Sequence, residues 1–109
     1  MEEHVLTQYW ESIPIGKRNR VTYSDLCDTW GMSKRMVRLV LNRLASMDNG
    51  DDYVLIRSSS SRGFWRSNDR EEIARYRREP LSRAKSYLKQ LDKINRVLGE
   101  NPMQGKLDV

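Results

Sequence analysis

The stretch TYSDLCDTWGMSKRMVRLVLN, residues 22–42, decides the predicted fold of this chain. Two helices that cross closely over a tight turn need a small residue on the first helix, supplied by Cys27, and a turn residue that tolerates positive φ, supplied by Gly31. Ser33 is placed to cap the second helix, predicted over 34–46, whose apolar residues follow the spacing of one buried stripe. The stripe comprises Val37, Val40, Leu41 and Leu44. These features predict a helix-turn-helix, and a general αα-hairpin is the alternative.

The other face of the second helix is basic and carries no acid. Arginine pairs bidentately with guanine, asparagine pairs with adenine, and a serine hydroxyl bonds phosphate. A helix that needs only to be solvated usually mixes both signs of charge, so this face predicts contact with DNA, and a solvated basic face is the alternative. The candidate base-reading residues are Ser33, Lys34, Arg35, Arg38 and Asn42.

A β-hairpin is predicted directly after the two helices. Residues 53–57 are β-branched and aromatic, residues 58–63 form a serine-rich loop with a glycine, and residues 64–66 form the returning strand. Because Phe64 and Trp65 alternate faces, one is expected in the core, and the other is either exposed for stacking on a base or buried in a core or interface. This element order is that of a winged helix, whose hairpin, or wing, lies beside the second helix. The residues expected on the DNA backbone are Lys17, Arg18, Arg20, Arg57, Arg62 and Arg66.

Helices are also predicted at both ends of this region. Apolar residues at helical spacing indicate a short helix over about 3–12. A capped helical stretch begins near 67–69 and meets Pro80, where it either kinks or breaks before resuming. The predicted fold class is therefore mainly α with a small β-hairpin, an α+β class. Its parts are a winged helix-turn-helix domain over 1–66, a C-terminal helical extension over 67–99 and a flexible tail over 100–109.

The C-terminal extension carries an apolar row with the spacing of a coiled-coil seam. The row comprises Leu81, Ala84, Leu88, Leu91, Asn95 and Leu98, widened by Tyr87 and Ile94. Such a row needs a covering surface, either the winged domain or a second copy of the chain, and the second option predicts a homodimer. Acid-to-base pairs at i, i+4 indicate an exposed opposite face. These pairs are Glu71–Arg75, Glu79–Arg83 and Asp92–Arg96.

Composition restricts the classes of function. The net charge is +5 over 109 residues, and arginine outnumbers lysine by 14 to 6. Between residues 17 and 66, ten bases face five acids, which favours a polyanionic partner. The single cysteine and the single histidine, Cys27 and His4, allow neither an internal disulfide nor, without a partner chain, a zinc site. We therefore expect no enzyme activity, no cofactor and no metal.

The same composition bears on location. No apolar run approaches the length that crosses a bilayer. Glu2 and Glu3 stand where a secretory signal needs positive charge. We therefore expect a cytoplasmic protein without a membrane partner.

Several segments together resemble short winged-helix proteins encoded by bacteriophages and prophages of Gram-positive bacteria. The segments are 13–22 (IPIGKRNRVT), 31–35 (GMSKR), 59–64 (SSSRGF) and 82–85 (SRAK), with Leu26, Val37 and Arg38. The resemblance extends from Tyr9 to about Leu98, and it departs from the family in the Asp-rich turn 48–52 and in the bulk of Trp65. It implies a winged-helix fold, DNA binding and a part in the transcriptional control of phage genes.

Residues and resemblance together predict a sequence-specific double-stranded DNA-binding protein. The second helix is expected in the major groove, and the wing on the DNA backbone. The alternative is a protein-interaction adaptor, in which the winged helix is a scaffold and the C-terminal helix or the tail binds a protein partner.

Overall fold

The computed structural model describes residues 2–99. Over this range the chain is mainly helical with one two-stranded antiparallel sheet, so the α+β class is confirmed. The elements are α1 (Glu3–Ser12), a 3-10 turn (Lys17–Asn19), α2 (Tyr23–Trp30), α3 (Lys34–Ser46), β1 (Val54–Ser58), β2 (Gly63–Ser67) and α4 (Arg70–Leu98). The predicted tail, 100–109, lies outside the described residues.

The chain divides into two compact units between Ile73 and Ala74. The C-terminal extension predicted from the sequence begins at residue 67, and residues 67–73 fall within the first of these units. One side-chain bond joins this segment to the hairpin, and others cap α4. The Trp65 indole Nε1 donates to Glu72 Oε1 at 3.0 Å, and Asp69 Oδ1 accepts from backbone amides at the start of α4.

The local signals of the α2–α3 region are confirmed. Thr22 and Ser24 both carry a hydroxyl group suited to cap α2, and Thr22 does so: its Oγ1 accepts from the Asp25 amide at 3.2 Å, while Asp25 Oδ2 accepts from the Thr22 amide at 2.9 Å. Gly31 ends α2 with φ 65°. Ser33 Oγ accepts from a first-turn amide of α3 at 3.3 Å. Each of these bonds joins residues close in sequence, so sequence alone predicts them.

The core of the first unit forms around α3. The predicted stripe of α3 is fully buried, with exposures of 0–1%. It packs with buried residues of α1, α2 and the hairpin, and Met32 is partly buried against the same cluster. These buried partners include Leu6, Trp10, Ile13, Leu26, Leu55 and Phe64.

The hairpin is buried on both faces. Cross-strand pairing sets Arg57 opposite Phe64 and Ile56 opposite Trp65. Phe64 joins the main core, whereas Ile56 and Trp65 lie on the other face and are each 3% exposed. Trp65 is therefore a buried packing residue and not an exposed base-stacking one, because its indole bonds to Glu72.

The segment between α1 and α2, which lies outside the predicted helices and strands, pairs with β2. The Gly16 amide donates to the Arg66 carbonyl at 2.9 Å, and the Arg66 amide donates to the Pro14 carbonyl at 2.7 Å. Val21 and Phe64 exchange both backbone bonds, at 3.0 and 2.8 Å. This pairing holds the 3-10 turn against the hairpin.

Helix α4 continues through Pro80 without a break. Of the predicted i, i+4 ion pairs, Glu79–Arg83 forms. No residue of α4 up to Leu98 is buried. Among residues 2–99, no helix combines the length and the apolar composition needed to cross a membrane.

Candidate nucleic-acid interface

The outward face of α3 is basic and open to solvent. Lys34, Arg35 and Arg38 are exposed because the opposite face of the helix is anchored in the core. Asn42 is exposed one turn after Arg38, and Ser33 is exposed at the start of the helix. All the sequence-predicted base-reading residues therefore lie on one accessible surface of the first unit.

Two apolar side chains share this face. Leu39 is 49% exposed and Met36 is 41% exposed. Large apolar side chains exposed on a helix are suited to contact with the methyl group of thymine. Neither residue is among the base-reading residues that the sequence predicts.

Tyr23 orients two of the cations of α3. Lys34 Nζ lies 5.2 Å and Arg38 Cζ lies 5.7 Å from the centre of the Tyr23 ring. The ring itself meets Phe64 of β2 edge-on, with centroids 4.8 Å apart. Cations are attracted to an aromatic face at such distances. Tyr23 thus links α2, α3 and the hairpin, and sequence reasoning missed it because the contact joins three separate elements.

A second contact joins α3 to the hairpin. Arg57 Nη1, from β1, donates to Asn42 Oδ1 at 2.8 Å. Arg57 is half-buried, while Asn42 is exposed. The sequence predicts Arg57 on the DNA backbone and Asn42 on a base, but it does not predict that the two side chains touch.

An open groove lies between the 3-10 turn and the tip of the hairpin, with a volume of about 700 Å³. We call it the basic groove. It combines cations with hydroxyl groups, and no carboxylate lines it. Its lining residues are Lys17, Arg18, Arg20, Thr22, Ser60, Ser61 and Arg62. The structure therefore brings together four of the six residues that the sequence predicts on the DNA backbone.

Gly63 permits this close approach. A Cβ atom at residue 63 would lie 3.0 Å from both Cβ and Cγ of Arg20. A larger residue at this position would require the Arg20 side chain to shift by a few tenths of an ångström. Gly63 thus leaves room for the stem of Arg20, which lines the basic groove.

Arg62 adopts a strained backbone at the hairpin tip. Its φ is 53°, in the left-handed region that non-glycine residues rarely occupy. Such strain is common at binding sites, where the surrounding structure holds it in place. The strained conformation places a cationic side chain on the groove.

Arg66 lies apart from the basic groove. Its Nε donates to the Ile13 carbonyl at 2.7 Å. Its guanidinium lies 5.7 Å from the Trp10 ring centre and 5.6 Å from that of Tyr53. Arg66 therefore joins β2 to the end of α1 through its Nε and Nη2 atoms.

The Asp-rich turn also serves the packing of α1. Asp51 Oδ2 accepts from the Trp10 indole at 2.7 Å, and Asp51 Oδ1 accepts from the Tyr53 amide at 3.0 Å. Burial by itself would raise the pKa of Asp51, but these bonds and the charge of Arg66 outweigh it and lower the pKa below its ordinary value. Asp51 is thus an ionised partner of Trp10.

The cations of the candidate interface are free of carboxylate partners. Within the described range 2–99, the ion pair is Glu79–Arg83, and His4 Nδ1 lies 3.3 Å from Glu2 Oε2; neither contact involves α3 or the basic groove. Unpaired cations are available to an anionic ligand. Over the same residues, no cluster of three or more His, Cys, Asp or Glu side chains is arranged to hold a metal ion.

Comparisons of the chain with protein-family models, with curated proteins and with solved structures gave no match.

Proposed function

We propose that this protein binds double-stranded DNA sequence-specifically as a winged helix-turn-helix protein. In this proposal α3 enters the major groove and the hairpin is the wing. The observation that carries it is that two adjacent residues, Thr22 and Tyr23, join the basic groove to the outward face of α3. Thr22 lines the basic groove, and Tyr23 next to it supports Lys34 and Arg38 of α3. Cations from α3, the 3-10 turn and the hairpin tip are thereby arranged around one junction.

The two parts of this surface suit different parts of DNA. The outward face of α3 presents arginine and asparagine, which hydrogen-bond base edges in the major groove. The basic groove presents cations and hydroxyls, which bond phosphate oxygens without reading sequence. Arg66 is left out of the proposed interface because it is bonded within the protein.

A second copy of the chain is the proposed partner of α4. Leu81 and Leu98 of the seam are 45% and 64% exposed, and Tyr87 and Ile94 beside it are 61% and 50% exposed. In a two-fold dimer the same surface of each chain forms the interface, so the seam of one chain would cover the seam of the other. A dimer of this kind requires a palindromic site with half-sites about one or two DNA turns apart. The resemblance to phage proteins supports a role in the transcription of phage or prophage genes in the bacterial cytoplasm.

Titration of a labelled duplex at several salt concentrations tests DNA binding. If about four phosphates are engaged through the basic groove, log K falls against log salt with a slope of about −3.6. A variant that replaces Lys17, Arg18 and Arg20 by Ala should flatten the slope, whereas replacing Lys85, Lys89 and Lys93 of α4 by Ala is the matched control. A slope near zero for the unmodified protein would refute DNA binding.

A protein-interaction adaptor is the alternative function. The exposed apolar side chains of α4 favour it, since they suit a protein surface. The salt titration separates the two functions, because an adaptor has no affinity for duplex DNA.

A further inference from the structure

The contact between Arg57 and Asn42 orients a side chain on the proposed DNA-reading face. Arg57 Nη1 donates to Asn42 Oδ1 at 2.8 Å. A guanidinium has only donors, so the oxygen of the carboxamide must face it. The oxygen of Asn42 is therefore turned toward the hairpin, and its NH₂ group is turned away from Arg57.

This orientation changes what Asn42 is able to read. A bidentate contact with adenine needs the amide oxygen to accept from N6 while the amide nitrogen donates to N7. Guanine presents two acceptors, O6 and N7, and cytosine presents only the N4 donor in the major groove. With its oxygen turned toward Arg57, Asn42 presents its NH₂ group to the base. The two acceptors of guanine match these donors best, adenine N7 and thymine O4 offer one acceptor each, and cytosine offers none.

We propose that Arg57 makes Asn42 a donor-only reader, which selects guanine and rejects cytosine at the base it meets. The inference rests on the proposed DNA binding and adds a base preference to it. Arg57 is a positioning residue here, since it acts through Asn42. The half-buried position of Arg57 on β1, opposite Phe64 of the core, supports a fixed contact.

The test compares sequences selected from a pool of randomised duplexes by the unmodified protein and by three variants. The unmodified protein is expected to enrich guanine at one position, and Asn42→Ala should lose the preference at that position alone. Arg57→Met removes the donor while keeping an unbranched stem, so the preferred base should change from guanine to adenine. Arg57→Lys, which keeps a donor-only cation, should retain guanine.

Matched duplexes that differ at this one base pair give the size of the effect. The ratio of Kd for adenine to Kd for guanine is expected to fall about tenfold in Arg57→Met, within the discrimination of one bidentate pair. Circular dichroism establishes that each variant is folded. In the DNA-free protein, the NMR resonances of the Asn42 side-chain NH₂ should shift in Arg57→Met.

Two results overturn the inference and leave DNA binding standing. In the first, Asn42→Ala loses the base preference but Arg57→Met keeps it unchanged. In the second, the base that the unmodified protein prefers through Asn42 is adenine. Unchanged Asn42 NH₂ resonances in folded Arg57→Met also overturn it. If the proposed function itself is wrong, the unmodified protein retains no duplex at any salt concentration. The inference then fails together with DNA binding.

Discussion

Helices α3 and α4 have apolar residues at similar spacings, but the apolar face of α3 is buried and no residue of the apolar face of α4 is. On α3, Val37 and Val40 are 0% exposed, whereas on α4 Leu81 and Leu98 are 45% and 64% exposed. The spacing places apolar side chains on one face of a helix, but it does not specify which element packs against that face. Helix α3 has neighbours in α1, α2 and β1. The comparison shows that periodicity predicts which face is apolar but not what covers it.

The largest expected effect contrasts one leucine from each helix. Leu41→Ala should lower the free energy of unfolding by about 2–5 kcal/mol, because it leaves a cavity in a closed core. Leu88→Ala should cost less at low protein concentration, since Leu88 is only half-buried. Urea denaturation of both variants measures the difference. Equal losses at every protein concentration would mean that α4 is covered within one chain.

Association of α4 with a second copy is the next effect in size. Light scattering of the unmodified protein should give twice the 12.9 kDa of one chain. Leu88→Glu should give a monomer, because a carboxylate in the seam is not solvated. Lys89→Glu, on an exposed neighbouring position, is the control and should leave the dimer intact. A monomer in the unmodified protein would contradict the proposed pairing.

The two helices should also differ in their contribution to DNA binding. Arg38→Ala on α3 should weaken binding to a cognate site by about 1–3 kcal/mol and relax the preference at one base pair. Arg96→Ala on α4 removes the same charge and should change affinity little. Titration with cognate and random duplexes measures both. Equal weakening on the two duplexes would show that Arg38 touches only phosphate.

A smaller effect is expected at the hairpin tip, where binding and stability should change in opposite directions. Arg62→Gly relieves the positive φ and should raise the free energy of unfolding by up to about 1 kcal/mol. The same change removes one cation and should reduce the steepness of the salt slope by about 0.9. Arg62→Lys keeps both strain and charge and is the control. Lower stability in Arg62→Gly would show that the arginine side chain supports the fold.

The smallest effect concerns pH and the bond between Asp51 and Trp10. The folded-state pKa of Asp51 lies below its ordinary value, so its ionised form adds stability above pH about 3.9. That stability is lost as the pH falls through the lowered pKa. Asp51→Asn should therefore be less stable than the unmodified protein at pH 7, and the difference should shrink below pH about 4. Thermal unfolding across pH measures this, and a constant difference would exclude the carboxylate as its cause.

The amino-acid sequence by itself determined the elements whose bonds are local. The bounds of α1 and α3, the capping residue Ser33 and the turn at Gly31 all follow from residues within one helical turn of each other. The buried stripe and the basic outward face of α3 follow from the same short range. Most of the candidate base-reading face is therefore visible without a structure.

Tertiary structure decided the features that need partners distant in the chain. The segment containing Gly16 pairs with β2, and Arg66 turns inward to Ile13, because backbone and side chains meet across many residues. The contacts of Tyr23 with two cations of α3, and of Arg57 with Asn42, also join residues that are distant in the chain. A sequence shows which groups are able to bond. Only the packing of α2, α3 and the hairpin decides which of them come within bonding distance.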